Sequence, residues 1–325
     1  MIGFIVKNSC KGYACSLFLA LGFLQLANYA HAQDLTTSQR MAEQGKADGT
    51  GVARDPQQAV AWYRKVAEQG NSDGQFLLGD SYSTGTGVAR DPQQAVFWFR
   101  KAAEQGHADA QVLLGKRYAT GEGVAQDNKQ AVAWYRKAAE QGNTDAQVLL
   151  GNKYATGTGV AQDAQQAVFW FRKAAEQGNS YGQLFLGDSY STGTGVAQDA
   201  QQAVFWFRKA AEQGNTDAHL FLGDSYAKGQ GVAQNDKLAV AWYRKAAEQG
   251  NAEAQSKLGA IYFLGKGVPQ DNGMAYVWLS VAVANGGSSE ATKVRDLAAK
   301  KLSNGQLEIS QRLAGQYFEK YQPPR

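Results

Sequence analysis

Thiols are nearly missing from this chain: Cys10 and Cys15 are the only cysteines in 325 residues. Both fall where Lys7 and Lys11 lead into an apolar run from Ala14 to Ala27, closed by Ala30, His31 and Ala32. That layout is expected of a secretory signal peptide over 1–32, with an A-x-A cleavage site and a mature chain starting at Gln33. The run is well short of the ~20 residues that cross a bilayer, and no later stretch approaches that length, so no membrane span is expected once the leader is removed. Neither cysteine sits in a lipoprotein pattern. The mature chain is then exported, periplasmic or secreted, and held by packing alone, without disulfides or cysteine metal sites.

Histidine is equally scarce, and an excess of either charge is lacking. After the leader only His107 and His219 remain, three repeats apart in different repeat positions, so a metal site is not expected and each reads as a surface substitution. Removing Lys7 and Lys11 with the leader leaves 31 basic against 29 acidic residues, signs interspersed. That excludes the basic stripe a nucleic-acid partner needs.

What the chain does have is tryptophan on a strict schedule. Trp62, Trp98, Trp134, Trp170, Trp206, Trp242 and Trp278 are each 36 residues apart, and no other tryptophan exists. Such a spacing means one structural unit copied head to tail. The unit from Asn143 to Gly178 reads NTDAQVLLGNKYATGTGVAQDAQQAVFWFRKAAEQG. In its first half Gln147, Leu150, Gly151 and Tyr154 fall at i, i+3, i+4 and i+7, one helical face; Ala167, Trp170, Phe171 and Ala174 repeat the spacing in the second half. The glycines of GTGV tolerate positive φ, Asp163 with Gln166 reads as a capping box, Pro56 and Pro92 follow capping aspartates, and Gly178 reads as a C-terminal cap.

First helices centre on Leu78, Leu114, Leu150, Leu186, Leu222 and Leu258, with a degenerate one near Thr37 to Lys46. The array thus runs over 33–286, its first half-repeat at 33–50. In the last unit SVAVANG at 280–286 puts Ser280, Val281 and Ala284 at charged positions of the frame, as expected if another layer covers them. That layer is expected at 287–325, where Val294, Leu297, Ala298 and Leu302 form one stripe and Leu307, Leu313, Ala314 and Tyr317 another. Ser303 with Gln306 caps the second of these helices, and Pro323 and Pro324 end it. Two helices with a polar outer face would close the stack.

The pattern LGxxYxxGxGVxxDxxxAxxWxRKAAEQG, almost continuous over 73–286, resembles the Sel1-like repeat, a relative of the tetratricopeptide repeat. The resemblance implies an all-α, right-handed α-solenoid of helix-turn-helix repeats with C-terminal capping helices. It also implies a noncatalytic protein–protein interaction scaffold in bacterial envelope processes or host contact. One branch of the family is cysteine-rich and linked to β-lactam or cell-wall peptide binding; the alternative reading carried by that branch is a cell-wall peptide or β-lactam binder with weak hydrolase activity. This chain lacks the branch's cysteines.

Comparing units within the chain separates constant positions from varied ones. In the first helix the varied positions are 73, 77, 80, 81 and 84, a stripe opposite the packing face. Positions 80 and 81 read Asp80 and Ser81, then Lys116 and Arg117, Asn152 and Lys153, Asp188 and Ser189, and Asp224 and Ser225. Lys116, Arg117 and Lys153 are the expected contacts for a carboxylate-bearing ligand such as an acidic peptide, with Tyr181, Phe185 and Phe221 as aromatic contacts. Catalytic, cofactor and metal sites are not expected. GTGV lacks a following GK[ST], the aspartates recur once per repeat as caps, and Ser189 and Ser225 have no adjacent histidine base. The FWFR clusters have the spacing of core packing.

Overall fold

A computed structural model of the protein describes residues 55–322; the leader, the degenerate first half-repeat and the Pro323–Pro324 ending lie outside the described residues. Helices α1 Pro56–Glu68, α2 Ser72–Thr84, α3 Pro92–Glu104, α4 Ala108–Thr120 and α5 Asn128–Glu140 come first. Next are α6 Thr144–Thr156, α7 Ala164–Glu176, α8 Ser180–Thr192, α9 Ala200–Glu212, α10 Thr216–Lys228 and α11 Asp236–Glu248. The last four are α12 Ala252–Leu264, α13 Asn272–Ala284, α14 Ser289–Lys300 and α15 Asn304–Lys320. Among the described residues there is no strand. The chain divides into two compact units, up to Trp134 and from Tyr135 onward.

The helix boundaries follow from capping chemistry. Each second helix with an aspartate before it is entered through that carboxylate: the Asp163 Oδ1 accepts from the N–H groups of Gln165 and Gln166 at 3.0 Å. This is the forward half of the expected capping box; the complete reciprocal pair forms at Ser303 and Gln306. Pro56 and Pro92 open α1 and α3, where a missing N–H is harmless. First helices end on left-handed glycines such as Gly157 (φ 71°).

Two glycines are dictated by close approach. A Cβ on Gly195 (φ 73°) would lie 2.1 Å from the carbonyl oxygen of Ala164, so the loop after α8 can lean on the start of α7 only as glycine. A Cβ on Gly187 would lie 2.7 Å from the Phe207 ring, which is how α9 comes to lie close on α8.

In the first unit α2 packs on α3 and α3 on α4; in the second, α7 on α8, α9 on α10 and α11 on α12 continue the pattern. The tryptophans join repeats. Trp98 clusters with Val60 and Ala67 of the repeat before it and with Leu78 of its own, Trp206 with Ala167 and Leu186, Trp242 with Ala203 and Leu222, and Trp278 with Ala239, Tyr243 and Leu258. Trp278 is 2% exposed; Trp62, whose preceding repeat lies outside the described residues, is 44% exposed.

Two polar ladders run beside the apolar one. The guanidinium of each second helix before α13 donates to a tyrosine hydroxyl 18 residues on, as in Arg172 to Tyr190 at 3.1 Å and Arg244 to Tyr262 at 2.7 Å. In the first helices other than α10 a buried glutamine donates to a carbonyl of the helix before, as in Gln183 to Ala175 at 3.3 Å; Gln183 also accepts from the glutamine of the next EQG, Gln213, at 2.8 Å. These bonds satisfy side chains that would otherwise be costly to bury.

The capping layer departs from expectation in part. Helix α13 packs on α14 and α15, and Val281, in place of a lysine, is fully buried. Ala284 is exposed, however, and of the first tail stripe Ala298 is buried while Leu297 stands 49% exposed. Leu297 follows the helical period but lies at the rim of the contact, where α14 has no further layer to meet.

Candidate functional site

The varied stripe divides by depth once the helices are placed. In the first unit Asp80 is half-buried on α2, and Ser81 is buried with its hydroxyl donating to the Leu77 carbonyl at 2.9 Å. Ser189 and Ser225 repeat this bond to Phe185 and Phe221, both at 2.8 Å. These serines therefore belong to the helix backbone and not to a docking face, which corrects the expectation for Ser81. The stripe at 80 and 81 straddles the helix boundary between outward and inward faces.

Arg117 is also committed inside the chain. Its guanidinium pairs with Glu122, the one acidic residue inside a glycine loop, and donates to the Ser83 hydroxyl; Glu122 pairs with Arg90 as well. An acidic ligand would have to compete with Glu122 for it. Lys116, one residue earlier, is exposed.

The second unit holds a different surface. Asn152 and Lys153 are half-buried on α6. On α8, Tyr181 is 57% exposed and faces Phe185, ring centroids 6.5 Å apart; Phe185 in turn meets Phe171 at 5.1 Å. On α10, Phe221 meets Phe207 at 5.1 Å. Tyr181 stands where neighbouring repeats carry an aspartate that accepts a bond from the next repeat's capping asparagine. Asp145 accepts from Asn179 at 3.0 Å and Asp217 from Asn251 at 3.2 Å. With no carboxylate at 181, Asn215 has no such acceptor, and a cavity of about 270 Å³ opens between Tyr181, Gln213, Asn215 and Asp217.

Asp188 and Asp224 occupy the same repeat position on α8 and α10. Asp224 is fully engaged: the Tyr243 hydroxyl donates to it at 2.6 Å and the Lys257 ammonium sits 3.1 Å away, itself 3.3 Å from Glu253. Burial and the adjoining Asp224 carboxylate push the Tyr243 phenol well above its ordinary range. Asp188 is exposed, its side chain has no partner among the described residues, and partial burial raises its pKa.

The histidines behave differently from the expected surface substitutions. His107 caps α4 through Nδ1, 3.2 Å from the Ala110 N–H, stacks on Phe76 at 4.6 Å and places Nε2 3.4 Å from Asp73. His219 is 4% exposed, standing where other repeats have the ladder glutamine. It keeps the bond to the Ala211 backbone and stacks on Trp242, but its Nδ1 is buried without a partner. Gln249, which would complete the rung, bonds to Thr216 instead. A residue replacing a buried glutamine is itself buried, a signal present in the repeat alignment. Among the described residues no three His, Cys, Asp or Glu side chains gather to hold a metal ion.

The frame and its departures can be set beside known proteins. The Sel1 repeat family matches residues 39–71, 72–107, 108–143, 144–179, 180–215, 216–251 and 252–287. Among solved structures the chain is similar to a Sel1 repeat protein from Oxalobacter formigenes, 37% identical over 70% of this chain and 91% of that one, with a TM-score of 0.66. It is also similar to a protective antigen of uropathogenic Escherichia coli strains that displays an SLR fold, 30% identical over 90% of this chain and 85% of that one, with a TM-score of 0.52. No curated protein matches the chain. With seven contiguous repeats matched and the paired helices in place, the chain belongs to the Sel1 repeat family.

Proposed function

We propose that this chain is an exported, noncatalytic protein-interaction scaffold of the bacterial envelope, presenting its first-helix stripe to a protein or peptide partner. One observation carries the docking site: Tyr181, 57% exposed, and the half-buried Phe185 and Phe221 stand on the first helices with Asp188, whose carboxylate has no partner among the described residues. Exposed rings beside a few polar groups supply most of the energy at protein interfaces. The repeats supply rigidity, so little is lost in ordering the surface on binding. The export half of the proposal rests on the leader pattern from Lys7 to Ala32.

A photo-crosslinking amino acid at position 185, in the full-length chain in its native cell, tests the reading. The expected result is one dominant adduct that is absent when the crosslinker stands at Lys237, exposed on α11. Equal adducts from both positions, or none from 185, would remove the docking site. A chain found only in the cytoplasm would remove the export half.

A further inference from the structure

Asp188 and Asp224 form a natural pair of experiments in one molecule. Each follows a glycine against which a ring of the next helix lies: Phe207 on Gly187, and Tyr243 on Gly223. At Asp224 that ring carries a hydroxyl, which donates to the carboxylate, and the residue 33 positions on is Lys257, whose ammonium completes the pairing. The same ammonium lies 5.9 Å from the centre of the Tyr243 ring. Subtracting one repeat of 36 residues, the hydroxyl-bearing ring becomes Phe207 and the lysine becomes Phe221. Both internal donors are lost, and two rings 5.1 Å apart replace them.

The position at Asp188 thus keeps the carboxylate and the aromatic wall but lacks the cation that the neighbouring repeat supplies from its own chain. An unpaired carboxylate at the edge of an apolar wall gains a charge-assisted hydrogen bond from an arriving ammonium. Rings beside it add attraction for the same charge. Lysine is the cation the fold already seats against this carboxylate position, one repeat away. We infer that Asp188, with the half-buried Phe221, receives a lysine side chain of the partner protein. The inference rests on the docking face proposed above and names the chemistry recognised there.

The full chain carrying 4-fluorophenylalanine at position 221 gives a single ¹⁹F reporter. The probe is the blocked tripeptide acetyl-Leu-Lys-Leu-amide, with its acetyl-lysine counterpart and the unblocked peptide Leu-Ala-Leu-amide as the other arms. The blocked lysine peptide is expected to move the resonance saturably, and Asp188→Asn, which keeps the shape of the side chain, is expected to weaken it by roughly ten-fold. The acetyl-lysine peptide is expected to leave the resonance in place. Equal response to the acetyl-lysine peptide, unchanged binding by Asp188→Asn, a stronger response to the free amino terminus, or no response up to about 10 mM peptide would each overturn the inference. Crosslinking from position 185 that persists while the lysine probe fails would leave the scaffold reading standing and remove the lysine alone.

Discussion

The junction at Asp224 and the junction at Asp188 are built on one frame and end in opposite states. In the first, Tyr243 and Lys257 close over the carboxylate; in the second, two phenylalanines replace both donors and the carboxylate stays unpaired. The lesson is that a repeat protein can make a site by subtraction. The frame of indoles, Arg–Tyr bonds and glutamine rungs is left intact, and only the groups that would satisfy one exposed side chain are removed.

The first way to break the comparison is to damage what both junctions share. Trp278→Ala is expected to cost about 3–5 kcal/mol, because this indole is buried among Ala239, Tyr243 and Leu258. Trp62→Ala should cost far less; urea unfolding of the two variants would show whether the repeat or the residue type decides. Next in size are Gly187→Ala and Gly223→Ala. Each drives a methyl into the ring of the following helix, at 2.7 Å and 2.5 Å, and each should cost about 1–3 kcal/mol. Similar losses in thermal unfolding would establish that the two junctions have equivalent frames; a loss confined to one would show that they do not.

His219 sharpens the comparison from inside the core. Burial first, and Lys245 second, lower its pKa below the ordinary 6.5, so the folded chain holds the imidazole neutral. The unfolded chain takes up a proton near the ordinary value and the folded one resists it. This contribution to stability is therefore complete above that value and is lost as pH falls from 6.5 through the lowered folded value. His219→Gln restores the rung to Gln249, should gain about 1 kcal/mol near neutral pH, and should flatten the acid limb of a stability-against-pH curve. An unchanged limb would show that His219 is not the titrating group.

The architecture was legible in the sequence because its causes are periodic. Tryptophan at 36-residue intervals, an aspartate (asparagine at 235) before the second helices and glycine after the helices of the repeats are local signals, and each corresponds to a packing or capping contact. The site was legible only in outline. Ser81 and Arg117 looked like surface residues because they vary between repeats, but variation does not report depth: the serine turns onto its own helix and the arginine finds Glu122. Glu122, five residues after Arg117 and alone among the glycine loops in being acidic, was the available signal. The state of Asp188 needed the geometry, since only the bonds made to Asp224 reveal which residues, one repeat earlier, are missing their polar atoms.

The most direct test of that contrast is the stability of Asp224→Ala beside that of Asp188→Ala, measured by urea unfolding of the otherwise unaltered chain. Removing Asp224 strands the Tyr243 hydroxyl, leaves the Lys257 ammonium with Glu253 alone and should cost about 1–3 kcal/mol. Removing Asp188 strands nothing and should fall within about 0.5 kcal/mol of the parent. Equal losses would contradict the account, because they would mean that Asp188 already has a partner within the chain.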